Sequence, residues 1–271
     1  MLEQYFRDRR ATDLSNLHSI TKSVLATLVG IAVGDGSLAL ETTVGEHFDV
    51  EERKARISVE HLLTMTSGLD AGSPHDIDEI ADRGESWGKG PLAAPLLGEP
   101  GSRFVYNNGA AHVLGILVAR ATEIPLARFA EERLFGPLGI VEYRWPADPD
   151  GNALGYGHLE LRPRELVRLG ELYLDGGRGL LPEGFVAAAT NAQSGGGGPE
   201  NVAYGYLWWI AEEGGRPSFF AGGYAGQYLT VVPELELVVV TTGDAAVLTE
   251  TSANLRRLVG EAVLPSLFTS S

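Results

Sequence analysis

Two hydroxyl–amine pairs at one spacing stand out in this chain: Ser19-Ile20-Thr21-Lys22 and Ser86-Trp87-Gly88-Lys89. A serine hydroxyl becomes a nucleophile only when a neighbouring base can take its proton, and an amine three residues on along a helix lies one turn away on the same face. After Lys22, apolar residues at 24, 25, 28, 29, 31 and 32 recur at helical spacing, which predicts a buried helix opening near Ser19. The first turn of a helix carries unpaired N–H groups and the positive end of the dipole, donors suited to an oxyanion. Ser86 and Lys89 sit instead among Gly88, Gly90 and Pro91, so that pair is expected in a loop without chemistry.

The elements around these residues follow from pattern and breakers. Leu2 to Phe6 is read as a short strand. The Ser19 helix is ended by Gly34-Asp35-Gly36, and Ser58 caps a short helix stopped by Ser67-Gly68. Residues 70–103, rich in Gly, Pro, Asp and Ala, read either as a functional loop or as a solvated connector. Helices are expected over Ala110 to Ala121, from Pro125 through Leu134, from Pro163 to Tyr173 and from about Pro182 to Ala192, with Ser194 to Pro199 a flexible break. Beyond it the pattern turns to strands: Tyr204 to Ile210, Ser218 to Ala221, then Gln227 to Val232 and Leu235 to Thr241 flanking Pro233-Glu234 as a hairpin. Ser252 to Leu264 is an amphipathic helix. The fold class is therefore α+β. Residues 1–15 and 200–271 form one antiparallel sheet lobe from N- and C-terminal strands under a covering helix, and residues 16–199 form a helical lobe, together one catalytic domain with its site in the cleft between lobes.

Composition narrows the chemistry. With 271 residues, 44% of them hydrophobic, the chain can bury a full core, and a formal charge of −15 disfavours nucleic acid while suiting small neutral or cationic substrates. There is no cysteine, hence no thiolate site, and His18, His47, His61, His75, His112 and His158 lack zinc spacing, so neither a metal nor a cofactor is expected. His18 is read as structural; His158 has two open readings, cleft or core. No Gly-x-Ser-x-Gly elbow occurs, and Gly195 to Gly198 lacks the Lys-Ser/Thr of a phosphate loop. The apolar run from Val24 to Val33 is too short to span a membrane, and Met1 to Arg7 lacks the order of a signal peptide, so the expected compartment is the cytoplasm.

Three stretches in order resemble the serine hydrolase superfamily of class C β-lactamases, D-alanyl-D-alanine peptidases, family VIII carboxylesterases and 6-aminohexanoate-dimer hydrolases. They are His18-Ser19-Ile20-Thr21-Lys22-Ser23; Tyr106-Asn107-Asn108 in a Pro-Gly-x-x-Phe-x-Tyr-x-Asn setting (Pro100, Gly101, Phe104); and Phe219-Phe220-Ala221-Gly222-Gly223-Tyr224-Ala225-Gly226-Gln227. The resemblance implies that Ser19 attacks an acyl carbon and forms an acyl-enzyme. Lys22 would take or hold the proton, and Tyr106 would act as general base and then as acid to the leaving group. It also implies an oxyanion hole from the backbone N–H groups of Ser19 and Tyr224, with Gly223 beside it, and an Asn108 that bonds the substrate and orients Lys22. Read alone, Tyr106 is an ordinary half-buried tyrosine, Asn108 a cap for the Ala110 helix, and Gly222-Gly223 a bulge.

Two departures shape the expected substrate. The third motif usually opens with Lys or His, a cation that helps hold a substrate carboxylate; here Ala221 stands there, which favours esters or amides lacking that carboxylate over β-lactams. The family also implies a further helix and strand ahead of Leu2, so a sheet edge is expected to be open, or paired with another chain. The alternative to a hydrolase is a non-catalytic binding or scaffold module that kept the fold. Trp87, Trp208 and Tyr224 are the side chains expected to line the cleft.

Overall fold

A computed structural model describes residues 2–247 and 254–268. At its centre lies helix α1, Thr21–Gly34, with every residue from Thr21 to Ala32 buried. A helix apolar on all sides has to sit inside the molecule, and each fully buried Val, Leu or Ile side chain contributes about 1.5–3 kcal/mol. A single 3-10 turn, His18–Ile20, leads into it, and no side chain caps either start. Its polar residues are tied to the layers around it: Ser23 Oγ donates to the Leu207 carbonyl at 2.7 Å, and Thr27 Oγ1 lies 3.1 Å from the Tyr173 hydroxyl.

The main sheet is antiparallel and six-stranded, in chain order: β3 Ser194–Gly197, β4 Val202–Tyr204, β5 Trp209–Glu213, β6 Arg216–Gly223, β7 Gln227–Val232 and β8 Leu237–Thr241. On one face, Leu229 and Val238 meet Gly170 of helix α3, Pro163–Leu174, whose backbone comes close because that position carries no Cβ. The opposite face carries Trp209, Phe220 and Tyr228. There the C-terminal segment covers it, with Arg256 over the Phe220 ring at 4.3 Å and Val259 and Leu264 buried. Helix α2, Asn108–Thr122, packs against α1 from the helical side and ends at Glu123 in a left-handed turn (φ 57°). Among the described residues no single helix is long and apolar enough to cross a membrane.

The α+β class and the sheet under a final helix stand as read, and β7 with β8 forms the hairpin expected around Pro233-Glu234. Residues 252 and 253 of the expected last helix lie outside the described residues. Other details differ. Leu2 to Phe6 is not a strand, and the main sheet takes no N-terminal strand. The N-terminal part contributes only β1, Ser15–Asn16, paired with β2, Glu160–Leu161, as a separate two-stranded ladder. Leu2 and Phe6 are both exposed, and the stretch is held through the side chain of Glu3, which accepts from Arg164 at 2.6 Å, rather than by a strand ladder. Ser194 to Pro199 is not simply a break: Ser194–Gly197 pairs with β4 through backbone bonds that need no side chains. Tyr204 to Ile210 is two strands joined by a turn in which Leu207 takes φ 57°. The 70–103 stretch carries two short helices, Ile77–Asp82 and Gly90–Ala93.

Candidate active site

Ser19 sits in a turn fixed by the two residues ahead of it. The Leu17 N–H donates to the Leu159 carbonyl at 2.8 Å, and the His18 N–H donates to Asn16 Oδ1 at 2.9 Å, which holds His18 at φ 45°. A non-glycine residue in that region is uncommon and is sustained only where the surroundings over-determine it. The strain delivers Ser19 to the uncapped start of α1, with Lys22 one turn on.

Lys22 is 1% exposed, and its Nζ lies 3.0 Å from Ser19 Oγ and 2.6 Å from the Tyr156 carbonyl oxygen. Burial pulls the amine down from 10.5 to about 7, partly opposed by the negative charge of Asp78. That displacement from 10.5 to about 7 corresponds to a cost on the order of 5 kcal/mol, which two or three of the buried apolar residues of α1 offset. A neutral amine has two N–H groups and one lone pair. With the Tyr156 carbonyl accepting one N–H, the lone pair is available to the Ser19 hydroxyl.

The Tyr106 ring lies beside the same amine, 4.9 Å from Nζ to its centroid, and is stacked on Trp209 at 5.7 Å with its edge toward Tyr204. Val105 N–H to the Met65 carbonyl at 2.8 Å fixes the backbone just before it. Burial pushes the phenol up to about 12, an effect opposed by a hydrogen bond from Ser19 and reinforced by the charge of Glu200. The Ser19 hydroxyl and the Tyr106 ring therefore both stand against the Lys22 amine. At neutral pH the phenol keeps its proton while the amine stands close to losing its own.

The remaining expected residues fall as follows. Gly223 ends β6 against the Ser19 turn, where any Cβ would collide with the Leu17 carbonyl oxygen; glycine is what lets the strand come so close. Tyr224 follows it, 61% exposed, its ring edge-on to His18 at 5.6 Å. Asn108 departs from expectation twice. The cap of α2 is Asn107, whose Oδ1 accepts from Ala110 N–H at 2.8 Å, and Asn108 Oδ1 is buried with no hydrogen bond, so Lys22 is oriented by the Tyr156 carbonyl instead. Trp208 does not line the cleft; it is fully buried against Tyr173 and Phe219, and its neighbour Trp209 faces Tyr106. Trp87 packs on His112 at 6.4 Å, and His158 stands 5.6 Å from His18 near the Ser19 turn. Ser86 and Lys89 are exposed, and the Ser86 hydroxyl donates to Asp150 at 3.3 Å.

Sequence reading missed the support behind Lys22. Fully buried His112 lies 3.0 Å from Asp148 through Nε2 and accepts from the Gly155 N–H through Nδ1 at 3.4 Å. Asp148 in turn accepts from the Asn152 N–H at 2.8 Å. Burial lowers the His112 pKa, which favours the neutral ring that this pattern requires. The network holds the chain just ahead of the carbonyl that grips Lys22. Among the described residues no three His, Asp or Glu side chains converge as a metal site.

The beta-lactamase family model matches residues 4–263. The chain belongs to the beta-lactamase family. Among curated proteins it is similar to the esterase EstB of Burkholderia gladioli, 31% identical over 93% of this chain and 62% of that protein; this chain thus spans less than two thirds of that relative's length. Among solved structures, a Bacillus anthracis protein assigned as a 6-aminohexanoate-dimer hydrolase superposes with a TM-score of 0.79 at 20% identity, covering 98% of this chain and 75% of that one. A Mycobacterium bovis beta-lactamase superposes with a TM-score of 0.71 at 22% identity, covering 95% and 88%. Both likenesses speak for the fold of this family member.

Proposed function

We propose that this beta-lactamase family member is a serine hydrolase that cleaves ester or amide bonds through an acyl-enzyme on Ser19. The observation that carries the reading is the buried Lys22 amine, 3.0 Å from Ser19 Oγ and lowered to about 7. Neutral Lys22 takes the Ser19 proton as Oγ attacks the acyl carbon. The developing oxyanion is received by the N–H groups of Ser19 and Tyr224. Tyr106, still protonated, gives its proton to the leaving oxygen or nitrogen and is reprotonated from the Lys22 ammonium. Water then enters by the reverse of these transfers and releases the acid. The base role assigned to Lys22 rather than Tyr106 rests on the opposite directions in which burial moves the two groups.

Similarity to an esterase over most of this chain supports the ester side of the reading, as does neutral Ala221 at the strand position where a cation would hold a carboxylate. The test is incubation with p-nitrophenyl butyrate and with nitrocefin, followed by intact mass. Faster turnover of the ester, with an acyl adduct that disappears in Ser19→Ala, is expected. Faster turnover of nitrocefin would overturn the substrate ranking. The absence of turnover and adduct with both reagents would favour a binding module.

A further inference from the structure

Ala221, Gly222 and Gly223 form a stretch of β6 that, among the described residues, has a paired strand on one side only. The β5 ladder begins at Trp209 opposite Phe220, whereas β7 stays paired with β6 as far as Gly223. This open edge runs into the Ser19 turn, and Ala221 gives it no charge. The charge arrives from elsewhere. The turn between β3 and β4 folds back over the sheet face and lays the Glu200 carboxylate beside Gly222. Oε1 stands 3.1 Å from where a Cβ on that glycine would be, and Tyr228 donates to the same oxygen at 3.2 Å. Oε2 accepts no hydrogen bond among the described residues, and the side chain is only partly buried. The Glu200 charge also reaches the Tyr106 phenol. Burial raises the Glu200 pKa, an effect opposed by the Tyr228 hydrogen bond and by the charge of Arg256, which is itself paired with Glu213 and packed on Phe220.

We propose that Glu200 forms a subsite for a cationic nitrogen on the substrate, next to the scissile carbonyl, and turns away substrates with a carboxylate there. The inference rests on the hydrolase reading above and narrows its substrate class. Repulsion and attraction act together in such a site: an anion fixed beside the reacting centre costs an anionic substrate its binding while it holds a cationic one in place. A formal charge of −15 on the whole chain biases approach in the same direction.

The test compares kcat/KM for three p-nitrophenyl esters of similar size: γ-trimethylammoniobutyrate, its uncharged isostere with tert-butyl in place of trimethylammonium, and the monoester of glutarate. The wild type is expected to prefer them in that order. Glu200→Gln keeps an acceptor for Tyr228, and the ratio of cationic to anionic ester should fall about tenfold or more, a change of about 1.4 kcal/mol; Glu200→Lys should invert it. Ratios within one variant cancel any general effect on Tyr106 or on folding. Turnover of all three esters at ratios that Glu200→Gln leaves unchanged would assign Glu200 to anchoring the hairpin and overturn the subsite. Failure of the wild type to turn over or be acylated by any of the three would overturn the hydrolase reading and the subsite with it.

Discussion

The same Ser-x-x-Lys spacing occurs twice in this molecule with opposite consequences. At Ser19 and Lys22 it lies on a buried helix start, and the amine is 1% exposed, facing one hydroxyl and one carbonyl. At Ser86 and Lys89 both residues are exposed, the hydroxyl accepts from the Lys89 backbone N–H at 3.4 Å, and nothing desolvates the ammonium. Spacing supplies proximity in both places. Only burial changes what the amine can do, because it is the removal of water that makes the charged form unfavourable.

Substitutions should separate the two pairs, and the largest effect is expected at the proposed nucleophile. Ser19→Ala should cut ester turnover by about 10⁴-fold or more, the scale seen when a nucleophile is removed from a concerted site. Ser86→Ala should leave the same rate within about twofold, since a surface change away from the site perturbs little. Loss of activity in Ser86→Ala comparable to that in Ser19→Ala would erase the distinction.

Lys22→Met should lower kcat by about 10³-fold, within the range of general-base catalysis, and should stabilise the fold at the same time. The sign follows from linkage. The Lys22 pKa falls from 10.5 to about 7 on folding, so between these values the unfolded chain holds a proton that the folded one lacks. The contribution of Lys22 therefore makes stability rise with pH from about 7 to about 10.5 and makes it lowest below about 7. Urea denaturation at pH 6 should show Lys22→Met more stable by a few kcal/mol, with this pH dependence gone. Lys89→Met should do neither. A Lys22→Met variant less stable than the wild type at pH 6 would contradict the cost assigned to burying the Lys22 ammonium.

Tyr106→Phe should cost about 10²-fold, mainly in kcat, because in the proposed mechanism the phenol passes a proton at the transition state, while the ring alone preserves the stack on Trp209. A change confined to KM would make Tyr106 a wall of the cleft. The smallest effect is expected at His112→Asn, which loosens the segment carrying the Tyr156 carbonyl. A drop of about tenfold should accompany a higher apparent pKa in the pH–rate profile, as Lys22 gains freedom to reach water. An unshifted profile would leave His112 a packing residue.

Side-chain spacing carried much of this site in the sequence itself. Ser19, Lys22 and their helix are legible because a long apolar repeat is a strong signal, and β7 and β8 because two β-branched runs flank a turn. The Tyr156 carbonyl was not legible, since every residue has a carbonyl and only the tertiary path aims one. Trp208 and Trp209 show a finer limit. In extended chain one residue's difference sends a ring to the opposite face, and the boundary of β5 decides which. The Ser194–Gly197 strand was hidden because glycine gives no alternation to read. Glu200 reaches Gly222 by a fold-back of the β3–β4 turn that local pattern does not encode.

The most direct measurement of the central claim is the rate and place of labelling by a small fluorophosphonate between pH 5 and pH 9, followed by peptide mass spectrometry. Labelling at Ser19 and not at Ser86, with a rate that climbs tenfold per pH unit below about 7 and levels off above it, is the expected result. A rate at Ser19 that is flat across that range, or a label found equally on Ser86, would contradict a serine activated by a desolvated lysine.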